Sequence, residues 1–155
     1  FEVVVDASAM VQLKRHRMST QHWGPYDPAL GVTVPPAIAD IGEEAAFSAV
    51  MERTAELHRA LSRALSARGA TTSAADYALT NAHRRRVGLT LNLRELYHFS
   101  RLREDGHAQW AIRRLAADMA ELARSVAPDT AQLLGGKDRY GEVFAAVMGQ
   151  DPPRS

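Results

Sequence analysis

NLRELYHFSRLREDGHAQWAIRRLA, Asn92 to Ala116, reads as two helices joined by a polar break. Asn92 is a good N-cap, because its short side chain can accept from an otherwise unpaired amide at a helix start. The spacing predicts a helix from there through Leu102. Glu104, Asp105 and Gly106 interrupt it, and a second helix is expected from His107 to about Val126, where Pro128 stops it. Ile112, Leu115, Met119 and Leu122 recur at helical spacing and form its expected apolar face. Just upstream, His83–Leu91 alternates. Arg84, Arg86, Gly88 and Thr90 face one way, and Arg85, Val87, Leu89 and Leu91 the other, as in a strand with one polar face.

Outward from this block, Phe1–Val5 is β-branched and apolar and reads as a short buried strand. Asp6 and Ser8 are candidate caps for a helix over Ala9–Arg17, with Met10, Leu13 and Arg17 on one face. Trp23–Pro36 holds Gly24, Pro25, Pro28, Gly31, Pro35 and Pro36, so an irregular arm is expected there. Asp40–Ala67 is the clearest helix, with Phe47, Val50, Met51, Leu57, Leu61 and Leu65 in register, Asp40 as cap and Gly69 as stop. Ser73 caps a shorter helix through Ala78. After Gly135 and Gly136 a last helix holds Tyr140, Val143, Phe144 and Val147, and Asp151–Ser155 reads as a disordered tail. The expectation is one α+β domain over 1–150, mostly helical with a small sheet.

The composition is that of a globular chain: 155 residues, 46% hydrophobic and 24% charged. Every apolar run is too short to cross a bilayer, so no membrane association is expected. Phe1 opens directly in a strand-like run with no basic leader, which suggests a fragment or a processed chain. Cysteine is absent, which excludes disulfides and thiolate chemistry and agrees with a cytoplasmic setting. A net charge of +1 gives no general attraction to nucleic acid. Lys14 and Lys137 are the only lysines. The arginine bias suits bidentate recognition of phosphate and carboxylate, and equally suits a compositional trend.

Two basic segments stand out. Arg15-His16-Arg17 is followed by Ser19, Thr20, Gln21 and His22. Successive helical residues diverge by about 100°, so neighbours here cannot all serve one partner. The segment is either a solvated helix end or a pocket wall. Arg94 and His98 share a helix face, with Arg101 and Arg103 beyond. This face either gathers an anion or is neutralised at the surface by Glu95, Glu104 and Asp105. The six histidines fall in no metal-ligand spacing, and no phosphate-binding loop or dinucleotide-binding glycine turn is present, so no metal is expected.

These residues resemble the flavin-dependent thymidylate synthase family. QLKRHR, Gln12 to Arg17, is similar to its Gln-x-x-Arg-His-Arg signature. Asn92–Ala116 is similar to its Asn-x-Arg…Phe-x-x-Leu-Arg…His-Ala-Gln-x-x-Ile-Arg block. The resemblance covers nearly the whole chain but only the later part of the family's sequence. It implies a thymidylate synthase-complementing-protein-like fold and homo-oligomeric subunits with shared active sites. It also implies FAD as cofactor, NADPH and methylenetetrahydrofolate as co-substrates, and C5 methylation of dUMP. By position it assigns Arg15, His16, Arg17, Asn92, Arg94, His98, His107 and Gln109 to FAD. Gln12 and Arg103 are assigned to the uridine nucleotide, with Arg103 as the catalytic group that polarises the base.

The departures lie on the phosphate side. Pro25 stands where the family has a serine near the nucleotide, Asp27 where it has a phosphate-binding arginine, and Asp76 aligns with another such arginine. Carboxylates there repel a dianion; His22, Arg84 and Arg86 are the basic groups at hand to compensate. A second reading is therefore a diverged, non-catalytic domain with a structural role, pairing with an intact copy. A third, nucleic-acid binding through Arg84-Arg85-Arg86, is disfavoured because three strand residues alternate in direction.

Overall fold

A computed structural model describes residues 1–153. Along the chain run β1 (Glu2–Asp6), α1 (Ala7–Leu13), β2 (Ser19–Tyr26), a 3-10 turn (Pro28–Leu30), α2 (Pro36–Asp40) and α3 (Glu44–Ala67). A second 3-10 segment (Thr72–Ala78), β3 (Arg84–Leu91), α4 (Leu93–Arg103), α5 (Trp110–Val126), α6 (Pro128–Ala131), a 3-10 turn (Lys137–Arg139) and α7 (Tyr140–Met148) follow. The fold is α+β, mostly helical with a three-stranded sheet of order β1-β3-β2. The expected disordered tail, 151–155, falls outside the described residues at its last two positions.

The chain divides into two units. One contains 2–11 and 22–88. In it β1 runs antiparallel to β3, with Val3 opposite Val87 and Asp6 opposite Arg84. Val3, Val5 and Val87 are buried while Arg86 is exposed, so alternation sets which strand face is covered. Helix α3 lies along the Thr72–Ala78 segment, burying Met51, Ala55 and Ala75. It ends where expected: Gly69 takes φ +66°, and Ala70 N–H closes on the Leu65 carbonyl while Gly69 N–H closes on that of Ser66.

Several expectations give way here. Asp40 does not cap α3; it closes the separate helix α2, and Gly42, at φ +74°, turns the chain before α3 begins at Glu44. The Trp23–Pro36 arm is not wholly irregular, since Trp23–Tyr26 completes β2. Proline and glycine are tolerated because β2 is an edge strand, where Pro25 needs no ladder donor. At Gly24 a Cβ would stand 3.1 Å from the Arg86 carbonyl oxygen of β3. Half of the predicted apolar stripe of α3 is uncovered: Val50, Leu57 and Leu61 are exposed, Phe47 and Leu65 are partly covered, and Met51 is buried.

Among the described residues, the second unit contains Phe1, 12–21 and 89–153. Asn92 caps α4 as expected, its Oδ1 accepting from Glu95 N–H at 2.9 Å. Helix α5 packs on α4 and α6 and starts at Trp110 rather than His107, because Gln109 is its cap. Its buried face is Ile112, Ala116, Met119, Ala120 and Ala123. Leu122 is 59% exposed. Large side chains suggested one stripe, but the alanines set another, since small residues let helices approach closely. Pro128 does not merely end α5; it opens α6.

Candidate functional site

Helix α1 stops at Leu13, four residues short of the expected end. The polar residues that follow explain why. Gln21 Nε2 donates to the Leu13 carbonyl at 3.1 Å, and Ser19 Oγ donates to that of His16 at 2.6 Å. The Leu13 carbonyl also accepts from His16 N–H at 3.0 Å, so the chain closes a tight i→i+3 turn, pinned by these side chains, instead of continuing the helix. The resulting turn separates three neighbours: His16 is 5% exposed, while Arg15 and Arg17 face solvent.

The buried His16 ring lies along one face of helix α4 and meets residues near both of its ends. Its Nδ1 lies 3.0 Å from Oε1 of Glu95, and Arg103 Nε–H donates to its Nε2 at 2.9 Å. An Nε2 that accepts has no proton, so the neutral ring carries its proton on Nδ1 and donates to Glu95. Phe99 meets the ring edge-on at 4.8 Å between centroids, and His98 lies at 5.7 Å. Burial, first, holds the imidazole below its ordinary value. The hydrogen bond to Glu95 opposes that shift, and the Arg103 charge adds to it.

Arg103 is thus gripped twice, because its Nη1 also donates to Gln12 Oε1 at 3.1 Å. Among the described residues, Nη2 meets no protein acceptor and no carboxylate lies within ion-pair distance of this guanidinium. Burial, and then the charge of Arg15, depress its proton affinity, yet an arginine stays cationic. The result is a half-buried, pre-oriented cation with one free edge, an arrangement suited to a polar or anionic planar group.

The other expected site residues divide into two groups. Arg15, Arg17, Arg94 and His98 are exposed, and none has an acidic partner within 4 Å among the described residues. They are uncommitted cationic or polar groups. Asn92 and Gln109 spend their carbonyl oxygens on helix caps, Gln109 accepting from both Ala111 and Ile112 N–H. Their amide NH2 groups remain. His107 is exposed with Nδ1 2.9 Å from the buried Asp105 carboxylate. No hydrogen bond or ring contact joins Asn92, Arg94, His107 or Gln109 to the Gln12–His16–Arg103 cluster.

Surface neutralisation by Glu95, Glu104 and Asp105 does not occur. Glu95 is buried on His16, Glu104 accepts from buried Ser100, and Asp105 pairs with His107 and Lys137. Glu95 was legible only by position: it lies four residues before Phe99, on the side of α4 that turns inward. Sequence reasoning also missed a cavity of about 280 Å³ beside His98, with Tyr97, Arg101, Lys137 and Tyr140 in its wall. Arg101 lies over the Tyr140 ring there, 5.9 Å from its centroid.

In the unit containing 22–88, the substituted carboxylates have structural partners. Asp27 accepts from Ala29 N–H as cap of the first 3-10 turn, and Asp76 lies 3.0 Å from His58 Nε2. Arg84, Arg85 and Arg86 are also engaged. Arg84 donates to Thr33, Arg85 donates twice to the Gly24 carbonyl and covers the Tyr26 ring, and Arg86 pairs with Glu2.

Residues 1–129 match the family model described as thymidylate synthase complementing protein. The chain belongs to this family. Among curated relatives, a flavin-dependent thymidylate synthase of Geobacter sulfurreducens is 39% identical over 82 residues, 53% of this chain and 34% of the relative. That of Sulfolobus acidocaldarius is 32% identical over 123 residues, 76% of this chain and 45% of the relative. That of Sulfurisphaera tokodaii is 32% identical over 130 residues, 80% of this chain and 49% of the relative. The chain therefore spans between a third and a half of these relatives' lengths. In this thymidylate synthase complementing family member, the matched region includes both the Gln12–Arg17 turn and all of α4. The cavity residues Lys137 and Tyr140 lie beyond it. No helix among the described residues is long and apolar enough to cross a membrane.

Proposed function

We propose that this chain carries the flavin- and nucleotide-facing part of a flavin-dependent thymidylate synthase, acting on dUMP or a related uridine nucleotide. The observation that carries the reading is the Arg103 guanidinium, held by His16 and Gln12 with one edge free. A uracil ring offers two carbonyl oxygens flanking a ring nitrogen. A fixed cation at that edge stabilises negative charge on the ring as C5 becomes nucleophilic. Gln12 and Arg103 are the nucleotide ligands in this reading.

FAD fits the remaining residues. A dinucleotide carries a pyrophosphate, and Arg15, Arg17 and Arg94 are exposed cations without acidic partners. His98, His107 and the free amides of Asn92 and Gln109 add polar contacts; His16, the other residue that the family resemblance assigns to FAD, has both ring nitrogens engaged by Glu95 and Arg103. FAD, reduced at the expense of NADPH, supplies the reducing equivalents, and methylenetetrahydrofolate the carbon. The site is completed by other segments or copies, through homo-oligomerisation or pairing with another domain of the family, in the cytoplasm.

A second reading has its own support. Asp27 and Asp76 stand in place of two phosphate-binding arginines and are built into local structure, so the chain also fits a non-catalytic partner of an intact copy. Purification with FAD separates the two. A yellow protein that releases deuterium from C5-labelled dUMP supports the enzyme. A colourless protein that ignores added FAD and dUMP, alone and at high concentration, supports the structural partner.

A further inference from the structure

We propose that His16 is a positioning residue for Arg103, with its tautomer fixed between the Arg103 donor and the Glu95 acceptor, rather than a ligand of the flavin. The inference rests on the nucleotide reading of Arg103 given above. Both ring nitrogens of His16 are engaged within the protein, one on each partner, and the ring is 5% exposed. A flavin contact would require it to abandon one of them.

The direction of each hydrogen bond makes the chain of three residues a unit. Arginine Nε can only donate, so Nε2 of His16 must present a lone pair. The proton must then sit on Nδ1, which needs an acceptor in a buried place, and Oε1 of Glu95 is that acceptor. Remove the acceptor, and the proton is free to move to Nε2, where it meets the Arg103 Nε–H head-on. Glu95 thereby acts on Arg103 without touching it. Gln12 holds Nη1 independently, so together His16 and Gln12 fix the guanidinium plane and leave Nη2 for a ligand. Phe99, against the ring at 4.8 Å, limits its rotation.

Side-chain nitrogen NMR of the ¹⁵N-labelled chain tests this directly, beside dUMP and FAD titrations. At pH 8 the wild type is expected to show His16 protonated on Nδ1 alone, with a slowly exchanging Arg103 Nε–H. His16→Leu should speed that exchange and weaken dUMP binding about tenfold, the scale of one lost charge-assisted hydrogen bond, while FAD affinity stays unchanged. His16→Gln, whose Oε1 can replace the Nε2 lone pair, should recover much of the dUMP affinity. Glu95→Leu should redistribute the His16 tautomer and speed the same exchange. The proposal is overturned if wild-type His16 carries its proton on Nε2, if Arg103 Nε–H is indifferent to His16→Leu, or if His16→Leu loses FAD and keeps dUMP. Should the wild type bind no nucleotide, the proposed function fails, but the tautomer and exchange readings still decide this inference.

Discussion

Arg103 Nε–H points at the unprotonated Nε2 of His16, 2.9 Å away and 87 residues distant in sequence. A cation thus donates to an imidazole that must stay neutral for the contact to exist. The pair is oriented by the buried carboxyl of Glu95 on the ring's other nitrogen.

Arg103→Ala is expected to weaken dUMP binding by about a hundredfold, because it removes the free edge and the charge together. Arg103→Lys should recover little, since one ammonium cannot satisfy His16 and Gln12 while presenting a planar edge. Isothermal titration with dUMP checks both, and FAD binding should persist in each variant. Equal affinity in all three proteins removes Arg103 from the nucleotide site.

Acid should destabilise the fold through its buried histidines. Burial is the first cause holding both His16 and His83 below their ordinary value. The unfolded chain then binds more protons than the folded one near and below about pH 6.5, so stability rises with pH there. The contribution is complete above that value and is lost as pH falls through the lowered folded values. Urea midpoints measured between pH 5 and 8 should climb, and the climb should be shallower in His16→Gln.

Ser100 donates to Glu104, whose carboxyl is pushed above its ordinary value, chiefly by burial, and drawn back by this hydrogen bond. Ser100→Ala removes the donor beside a partly desolvated group, at a cost of about 1–2 kcal/mol. It should also move the Glu104 titration higher. Thermal unfolding and carboxyl ¹³C NMR read the two effects separately.

Asp27→Asn keeps a side-chain acceptor for the Ala29 amide and deletes a negative charge. If the nucleotide phosphate approaches this turn, dUMP affinity should rise several-fold while deoxyuridine affinity stays constant. Equal response of the two ligands, measured at low salt, places the phosphate elsewhere.

Leu57 and Leu61 are both exposed on α3, and under the homo-oligomer reading proposed above they are the apolar surface expected to meet another copy. Leu57→Asp combined with Leu61→Asp should lower the mass seen by light scattering by at least about half without lowering the melting temperature of the separated chain. An unchanged mass would assign assembly, where it occurs, to another face.

How much was legible in the residues differs between elements for physical reasons. Asn92 before an amphipathic run, Gly69 after one, and the alternation in β3 are local signals, and each element appears near its expected place. The residues around Trp23 signal an irregular arm because Gly24 and Pro25 break strands in general. Their tolerance at an edge is set by neighbours in the sheet. The half-covered stripe on α3 and the alanine face of α5 show the same limit: periodicity finds an apolar face, but only packing shows which one is covered.

By itself the chain determined the family, through Gln12–Arg17 and Asn92–Ala116. It also determined the capping and turn chemistry, since those interactions span only a few residues. The tertiary structure alone decided that His16 turns inward while Arg15 and Arg17 turn out, and that Glu95 pairs with the ring rather than with surface arginines. The reason is that hydrogen-bond direction and burial are set by groups about 80–90 positions apart, and no local spacing records who meets whom across that distance.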